Sequence, residues 1–167
     1  MLYINRETMK TLLGVTFILL MLSSTVFSQD ATIKYNDLLD QYEVSNEYGQ
    51  RTGTVEYNDL LNQYEIKNEY GQQVQTMDYN DLLDQYEYRN PYGELEGTSE
   101  YNSLLDRYEH RSPYGGLEGT TDYNDLLDQY EYRNPYGGLE STTEYNDLLN
   151  QYEIYDYDYQ YDYDSSW

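Results

Sequence analysis

The sequence predicts a mostly disordered, low-complexity tandem-repeat protein with one short, marginal amphipathic α-helix in each 22-residue unit and no compact core. In the chain after Ser28, Leu, Ile, Val and Phe together make up roughly 15%, below the ~20% under which a highly charged chain usually stays disordered. The same segment has seven Lys and Arg against 31 Asp and Glu, a net charge of −24, so neighbouring repeats are expected to repel each other.

Residues 1–28 are typical of a secretory signal peptide. An apolar segment, 12–21, follows two basic residues and precedes small residues at a cleavage site before Gln29. The segment is shorter than the ~20 residues that a membrane-spanning helix needs. We therefore expect the mature protein to be secreted and extracellular, with no membrane span once the signal peptide is removed.

Residues 29–154 contain six tandem copies of one 22-residue unit. Each copy contains Tyr-Asn-Asp-Leu-Leu-Asp-Gln-Tyr-Glu or a close variant of it, and the last copy is partial. The copies begin near Thr32, Thr54, Thr76, Thr98, Thr120 and Thr142.

The spacing of apolar residues within a copy predicts its helix. Tyr79, Leu82, Leu83 and Tyr86 fall at i, i+3, i+4 and i+7, which is one helical face. Thr76 is a suitable N-cap for this helix. The Leu-Leu pair of every copy is thus the expected centre of a helix, which at this length is marginal in water.

The later copies contain a clear signal for the end of each helix. Asn90-Pro91 prevents continuation of a helix, and Tyr92-Gly93 is typical of a turn. Stacking of the six helices into a solenoid is not expected, because known α-solenoid repeats are ~34 to 45 residues long and contain two or three helices.

Residues 155–167 form a tail in which Tyr and Asp alternate. Its carboxylates are oxygen ligands of the type that Ca²⁺ prefers, but no EF-hand loop is present. Weak cation contact without a specific metal site is expected at Asp156, Asp158, Asp162 and Asp164.

Tyrosines with acidic neighbours are candidates for sulfation, and exposed tyrosines in general for oxidative crosslinking. The modification candidates are Tyr157, Tyr159, Tyr161 and Tyr163.

We expect no enzyme activity, no catalytic residues and no cofactor. The chain lacks Cys, which excludes disulfides, thiol catalysis and Cys-ligated metals. His110 is the single histidine. It is interpreted either as a general base or, preferably, as a substituted loop residue where other copies have Tyr.

The 22-residue repeat and the 25 tyrosines resemble secreted, tyrosine-rich tandem-repeat proteins of invertebrates, of the flatworm antigen or eggshell type. The resemblance implies a secreted structural or antigenic role and no particular site residues. We expect a non-enzymatic protein of an extracellular matrix, or an exposed repetitive antigen bound by a host receptor or antibody. The alternative is a polyanionic module that binds basic proteins or Ca²⁺ through sulfated tyrosines and Asp. Self-association or crosslinking is possible in either case. Nucleic acid is excluded as a partner because no basic stripe exists to neutralise phosphates.

Overall fold

Each 22-residue repeat folds into two antiparallel β-strands in the computed structural model, which describes residues 30–157. The six repeats therefore supply twelve strands, two from each copy, including the partial last one. The strands are β1 (Ala31–Asn36), β2 (Gln41–Asn46), β3 (Arg51–Asn58), β4 (Gln63–Asn68), β5 (Gln73–Asn80), β6 (Gln85–Arg89), β7 (Leu95–Asn102), β8 (Arg107–Arg111), β9 (Leu117–Asn124), β10 (Gln129–Arg133), β11 (Leu139–Asn146) and β12 (Gln151–Asp156).

The strands form a closed up-and-down barrel. Each strand pairs with the strand before it and the strand after it, and β1 pairs with β12 to close the ring. The closing register is short and matches Ala31 with Ile154 and Ile33 with Tyr152. Closure leaves no unpaired sheet edge among the twelve strands. An unpaired edge is the feature through which β-rich chains most often aggregate.

The predicted helices are wrong, and the hairpin explains why their spacing looked helical. Tyr79 lies in β5 and Tyr86 in β6, where they face each other directly across the hairpin. Leu82 and Leu83 lie in the connecting loop, and the expected N-cap Thr76 lies within β5. Tyrosines seven positions apart are therefore cross-strand neighbours here, because the loop between the two strands has a fixed length. The same correction applies to the Leu-Leu pair of every copy.

The predicted disorder and the absence of a core are also wrong. One residue from every strand contributes to a buried layer, and these residues recur at every eleventh position along the chain. We call this set the core layer. Its members are Ile33, Val44, Val55, Ile66, Met77, Tyr88, Ser99, His110, Thr121, Tyr132, Thr143 and Ile154.

The core layer is apolar on one side of the barrel and polar on the other. From Ile154 through Ile33 to Met77 its side chains are aliphatic or Met, and Tyr88 completes the buried apolar cluster with Ala31. The polar side contains a chain of hydrogen bonds. Tyr88 donates to Ser99 Oγ at 2.9 Å, Ser99 Oγ lies 2.6 Å from His110 Nδ1, and His110 Nε2 lies 2.7 Å from Thr121 Oγ1. These buried polar groups satisfy one another, as a barrel interior requires.

Tyrosine supplies the apolar area that the aliphatic count lacked. Tyr42, Tyr64, Tyr86, Tyr132 and Tyr152 are partly buried and pack against the core cluster. An aromatic side chain buries about 150–250 Å², so a composition rule based on Leu, Ile, Val and Phe underestimates this core.

The outer face holds the basic residues beside acidic ones and so reduces the expected repulsion. The Arg89 guanidinium lies 2.5 Å from Glu87, and the equivalent pairs of Arg111 with Glu109 and of Arg133 with Glu131 measure 2.7 and 2.6 Å. The loop asparagines donate to the same row of glutamates. These bonds run from Asn36, Asn58, Asn80, Asn102, Asn124 and Asn146 to the glutamate seven positions on, at 2.6–3.0 Å.

Candidate functional site

One end of the barrel consists of six equivalent loops, each joining the two strands of one repeat. In the first, Asn36 fixes the turn, because its Oδ1 accepts from the backbone N–H groups of Leu38 and Leu39 at 3.1 and 3.2 Å. Asp40 then adopts the left-handed conformation with φ 53°, which Asp and Asn tolerate better than most residues. The polar residues thus fix the loop, and the two leucines between them are exposed to solvent, Leu38 at 91% and Leu39 at 55%.

The two leucines of every loop are exposed to solvent. The first is 90–95% exposed and the second 48–60%. We call these twelve residues the leucine rim. They are Leu38, Leu39, Leu60, Leu61, Leu82, Leu83, Leu104, Leu105, Leu126, Leu127, Leu148 and Leu149.

The leucine rim is regular and large. Twelve strands spaced ~4.8 Å apart give a circumference of about 58 Å, so neighbouring loops are about 10 Å apart, and strand tilt widens the ring further. Soluble monomers rarely expose contiguous apolar patches of more than a few hundred Å², and larger ones mark interaction sites. Twelve exposed leucines at one end of a barrel therefore make a candidate binding surface.

The rim is also strongly acidic. Each loop has one residue before its leucines and one after them, and nine of these twelve positions are Asp. The other three are Asn62, Ser103 and Asn150, and no Lys or Arg occurs in the six loops. Apolar and negative groups thus alternate around the ring, and within the loops nothing neutralises the charge.

Inside the rim the barrel mouth is lined by twelve tyrosines, which we call the tyrosine mouth. Each hairpin contributes a cross-strand pair with ring centroids 4.8–5.2 Å apart and planes tilted by 51–58°. The pairs are Tyr35–Tyr42, Tyr57–Tyr64, Tyr79–Tyr86, Tyr101–Tyr108, Tyr123–Tyr130 and Tyr145–Tyr152.

The outer member of each pair is tied to the loop. The Tyr35 hydroxyl donates to the Asp40 carboxylate, and the Tyr57 hydroxyl donates to Asn62 Oδ1 at 2.6 Å. The hydrogen bond to Asp40 raises the pKa of Tyr35 to about 12, with smaller contributions from burial and from the nearby charges. For the inner member, burial is the main cause, and it raises the pKa of Tyr152 to about 12.

The opposite end of the barrel presents exposed tyrosines. There the turns that join one repeat to the next contain Gly with positive φ, as at Gly93 with φ 83°, and each turn projects a tyrosine that is 70–97% exposed. The predicted turn at Tyr92-Gly93 is confirmed. The five tyrosines are Tyr48, Tyr70, Tyr92, Tyr114 and Tyr136.

Ser99 and His110 are adjacent in the way a nucleophile and its base are, but the pair is enclosed. Their side chains are 2% and 1% exposed, and burial lowers the pKa of His110 to about 3. The neutral ring accepts from Ser99 when its proton is on Nε2, where it donates to Thr121. The interpretation of His110 as a loop residue is wrong, since it lies within β8; here it completes the polar side of the core layer.

Of the residues predicted as cation contacts and modification sites, the structure describes Asp156 and Tyr157, which lie at the other end of the barrel from the rim. Asp156 ends β12, and its N–H donates to Asp30 Oδ1 at 3.3 Å. The Tyr157 N–H donates to the Glu140 carbonyl at 2.7 Å. The signal peptide, 1–28, and the remaining predicted positions lie outside the described residues. Those positions are Asp158, Tyr159, Tyr161, Asp162, Tyr163 and Asp164.

Metal-binding clusters and membrane-spanning helices are both missing from residues 30–157. Within this range, no three His, Asp or Glu side chains are grouped so that they could hold a metal ion. No helix in the described part of the chain has the length and apolarity to cross a bilayer.

Sequence reasoning missed both the leucine rim and the tyrosine mouth. In every copy an Asn stands two residues before the Leu-Leu pair, and an Asp or Asn follows the pair directly. These residue types favour turns, so they were the available signal. A turn assignment would have placed the leucines outside any core.

Comparisons with known proteins support the fold alone. No family model matches the chain, and no curated protein matches it. A protein from Arabidopsis thaliana of known crystal structure is similar, with a TM-score of 0.58 and 10% sequence identity. The match covers 77% of this chain and 79% of the plant protein. At this identity the likeness concerns the shape of the barrel and not its chemistry.

Proposed function

We propose that the protein is a non-enzymatic, exported binding module that docks through the leucine rim onto a partner surface that is both apolar and basic. The observation that carries the proposal is the set of twelve exposed leucines, two in each of six equivalent loops of an acidic ring. Export is supported by the signal-peptide pattern of residues 1–28.

The apolar component supports binding, because covering an exposed leucine releases its surface from water. Full burial of a Leu side chain contributes about 1.5–3 kcal/mol, and much of that is available at the outermost leucines, such as Leu82 at 90% exposure. Six loops about 10 Å apart can engage one extended surface together, and linked contacts strengthen each other well beyond a single loop.

The acidic component supports a basic partner. Nine Asp surround the leucines and no Lys or Arg lies within the loops, so an anionic surface is repelled and a cationic one attracted. This proposal keeps the polyanionic part of the sequence prediction but relocates it from the tail to the folded rim. Sulfation is not needed for it.

A second role, as a matrix component or repetitive antigen, is favoured by the opposite end. Five turn tyrosines there are 70–97% exposed, which makes them accessible to a receptor, an antibody or a crosslinking oxidant. The two roles use different ends of the barrel, so variants of one end leave the other intact.

A cationic amphipathic helical peptide of Lys and Leu tests the main proposal by isothermal titration calorimetry. The rim variant replaces the outermost leucine of each loop with Ser, at Leu38, Leu60, Leu82, Leu104, Leu126 and Leu148. The matched control replaces the five exposed tyrosines of the opposite turns with Ser. We expect at least a tenfold loss of affinity in the rim variant and no change in the control.

Salt and lipid vesicles complete the test. Affinity for the peptide should fall as salt shortens the Debye length from ~10 Å at 0.1 M to ~3 Å at 1 M. Equal affinity in the rim variant and the control would refute the proposal. Binding to phosphatidylcholine vesicles with no binding to the peptide would also refute it and would identify a lipid surface instead.

A further inference from the structure

The inner tyrosines of the mouth occupy equivalent positions around the closed barrel. The six inner tyrosines lie on alternate strands of the closed ring, Tyr42 on β2, Tyr64 on β4, Tyr86 on β6, Tyr108 on β8, Tyr130 on β10 and Tyr152 on β12. Side chains on the concave inner face of a barrel converge, whereas those on the convex outer face diverge, so the inner tyrosines can approach one another. The six inner tyrosines therefore form a ring around the mouth.

The tyrosines of the mouth are in contact with water. The inner tyrosines are half-buried, and the outer ones are partly exposed, as shown by the 38% exposure of Tyr35. A small solute can therefore reach aromatic surface without any opening of the barrel.

No positive side chain of the described residues lines this mouth. The register places Lys34, Lys67, Arg89, Arg107, Arg111 and Arg133 at positions alternating with the core layer, which puts them on the outer face, and Arg51 pairs with outward-facing Ser45. The single histidine, His110, is neutral inside the barrel. The loops above the mouth contribute only Asp, Asn, Ser and Leu.

From this geometry we infer that the tyrosine mouth is a binding site for an organic cation, either an ammonium or a guanidinium group. Aromatic faces attract such cations through the negative charge of the ring face, and Tyr offers such a face. The ring of Asp around the mouth raises the local concentration of cations. An ordinary phenol is uncharged at physiological pH, so tyrosine offers aromatic faces and hydroxyl groups and not fixed charges.

The cation has two possible sources, a free small molecule or a Lys or Arg side chain of a bound protein. In the second case the inference deepens the proposed function, because the same partner that covers the rim would insert the side chain. In the first case it stands independently of the rim.

Proton NMR with tetramethylammonium as the probe tests the inference. Protons held against aromatic faces shift upfield, so the methyl resonance should move upfield and saturate as protein is added. N-acetyl-arginine amide should displace the probe, whereas potassium chloride at equal ionic strength should not. A shift that potassium chloride abolishes, or no shift at all, would overturn the inference.

Two paired variants identify the site. Replacement of Tyr42 and Tyr130 by Leu removes aromatic faces and should weaken probe binding at least tenfold, whereas Tyr→Phe at both positions keeps the rings and should change it less than threefold. Circular dichroism of both variants checks that the barrel has folded. Unchanged binding in a folded Leu variant, or an equal loss in the folded Phe variant, contradicts an aromatic cation site.

The rim variant, with Ser in place of the outermost leucine of each loop, distinguishes the two proposals. It keeps every tyrosine of the mouth, so tetramethylammonium should bind it as it binds the native protein. If the native protein binds the small cation and not the amphipathic peptide, the mouth inference holds and rim docking fails. If it binds the peptide alone, with no upfield shift of the small cation, the reverse is true.

Discussion

Replacing Asn80 with Ala should destabilise the barrel by about 2–4 kcal/mol, because this side chain links a loop to the outer face. Its Oδ1 accepts from Leu82 N and Leu83 N at 3.1 and 3.2 Å. Its Nδ2 donates to Glu87 Oε1 at 2.7 Å, and Glu87 is 7% exposed. The substitution removes all three bonds at once.

The magnitude comes mainly from the bond to Glu87. A hydrogen bond to a charged group contributes about 1.5–3 kcal/mol, and an ordinary one about 0.5–1.5 kcal/mol. The Leu83 N–H keeps the Asn80 carbonyl as an acceptor, at 3.2 Å, so only the Leu82 N–H loses its sole protein partner, and water can replace it. Glu87 keeps Arg89, which limits the total.

Asn90→Ala is a matched control with the same number of bonds. Asn90 accepts from Tyr92 N at 2.9 Å and Glu94 N at 3.0 Å, and its Nδ2 donates to Glu94 Oε2 at 2.8 Å. Glu94 is exposed, so water replaces these bonds and the expected loss is about 1 kcal/mol or less.

Urea unfolding, followed by circular dichroism and tyrosine fluorescence, measures both losses. Equal losses in the two variants would refute the assignment of the energy to the buried carboxylate. A loss below about 1 kcal/mol for Asn80→Ala would show that Asn80 does not link loop and sheet.

Three further predictions concern single titrating groups. The hydrogen bond from Asn80, followed by the one from Arg89, lowers the pKa of Glu87 below its ordinary value of 4.5. The native protein should therefore be more stable than Glu87→Gln at pH values above 4.5. The advantage should disappear as the pH falls through the lowered pKa, and urea unfolding at several pH values checks this. Asp84→Asn should leave stability unchanged within about 0.5 kcal/mol, since two other loops have Asn in this left-handed position. The hydrogen bond to Asp84 is the main reason that the pKa of Tyr79 is raised to about 12. NMR titration of the variant should show this pKa falling towards 10. His110→Ala should cost about 3 kcal/mol or more in urea unfolding, because it leaves a cavity and removes one hydrogen-bond partner from each of the Ser99 and Thr121 hydroxyls. The His110 ring resonances of the native protein should stay constant between pH 8 and 4.

The repeat length and the turns at Gly could be read from the sequence, but the type of secondary structure could not. Two short strands of five to eight residues give only two to four alternations each, too few to outweigh the helical spacing of Tyr79, Leu82, Leu83 and Tyr86. The decisive pattern is the recurrence at every eleventh position from Ile33 to Ile154. It divides each repeat in half and becomes visible once two strands per copy are assumed.

The candidate site was missed for a related reason. The leucines were assigned to a helical face because of their spacing, yet a loop fixed by Asn36 and Asp40 leaves Leu38 91% exposed. The tyrosines were interpreted as sites of sulfation or crosslinking, although one from each strand lines the mouth. Their inward direction depends on closure of the ring, which pairs the first strand with the last and has no local signature in the sequence.

The short register between β1 and β12 gives the barrel a seam with consequences for its synthesis. Eleven of the twelve strand pairings join consecutive strands and can form as soon as the second strand of each pair leaves the ribosome. The twelfth waits for the last repeat, so an unfinished chain has two open edges that can pair with another unfinished chain. A gene that gains or loses one 22-residue copy would have to close the same seam with fourteen or ten strands, and therefore around a wider or narrower lumen.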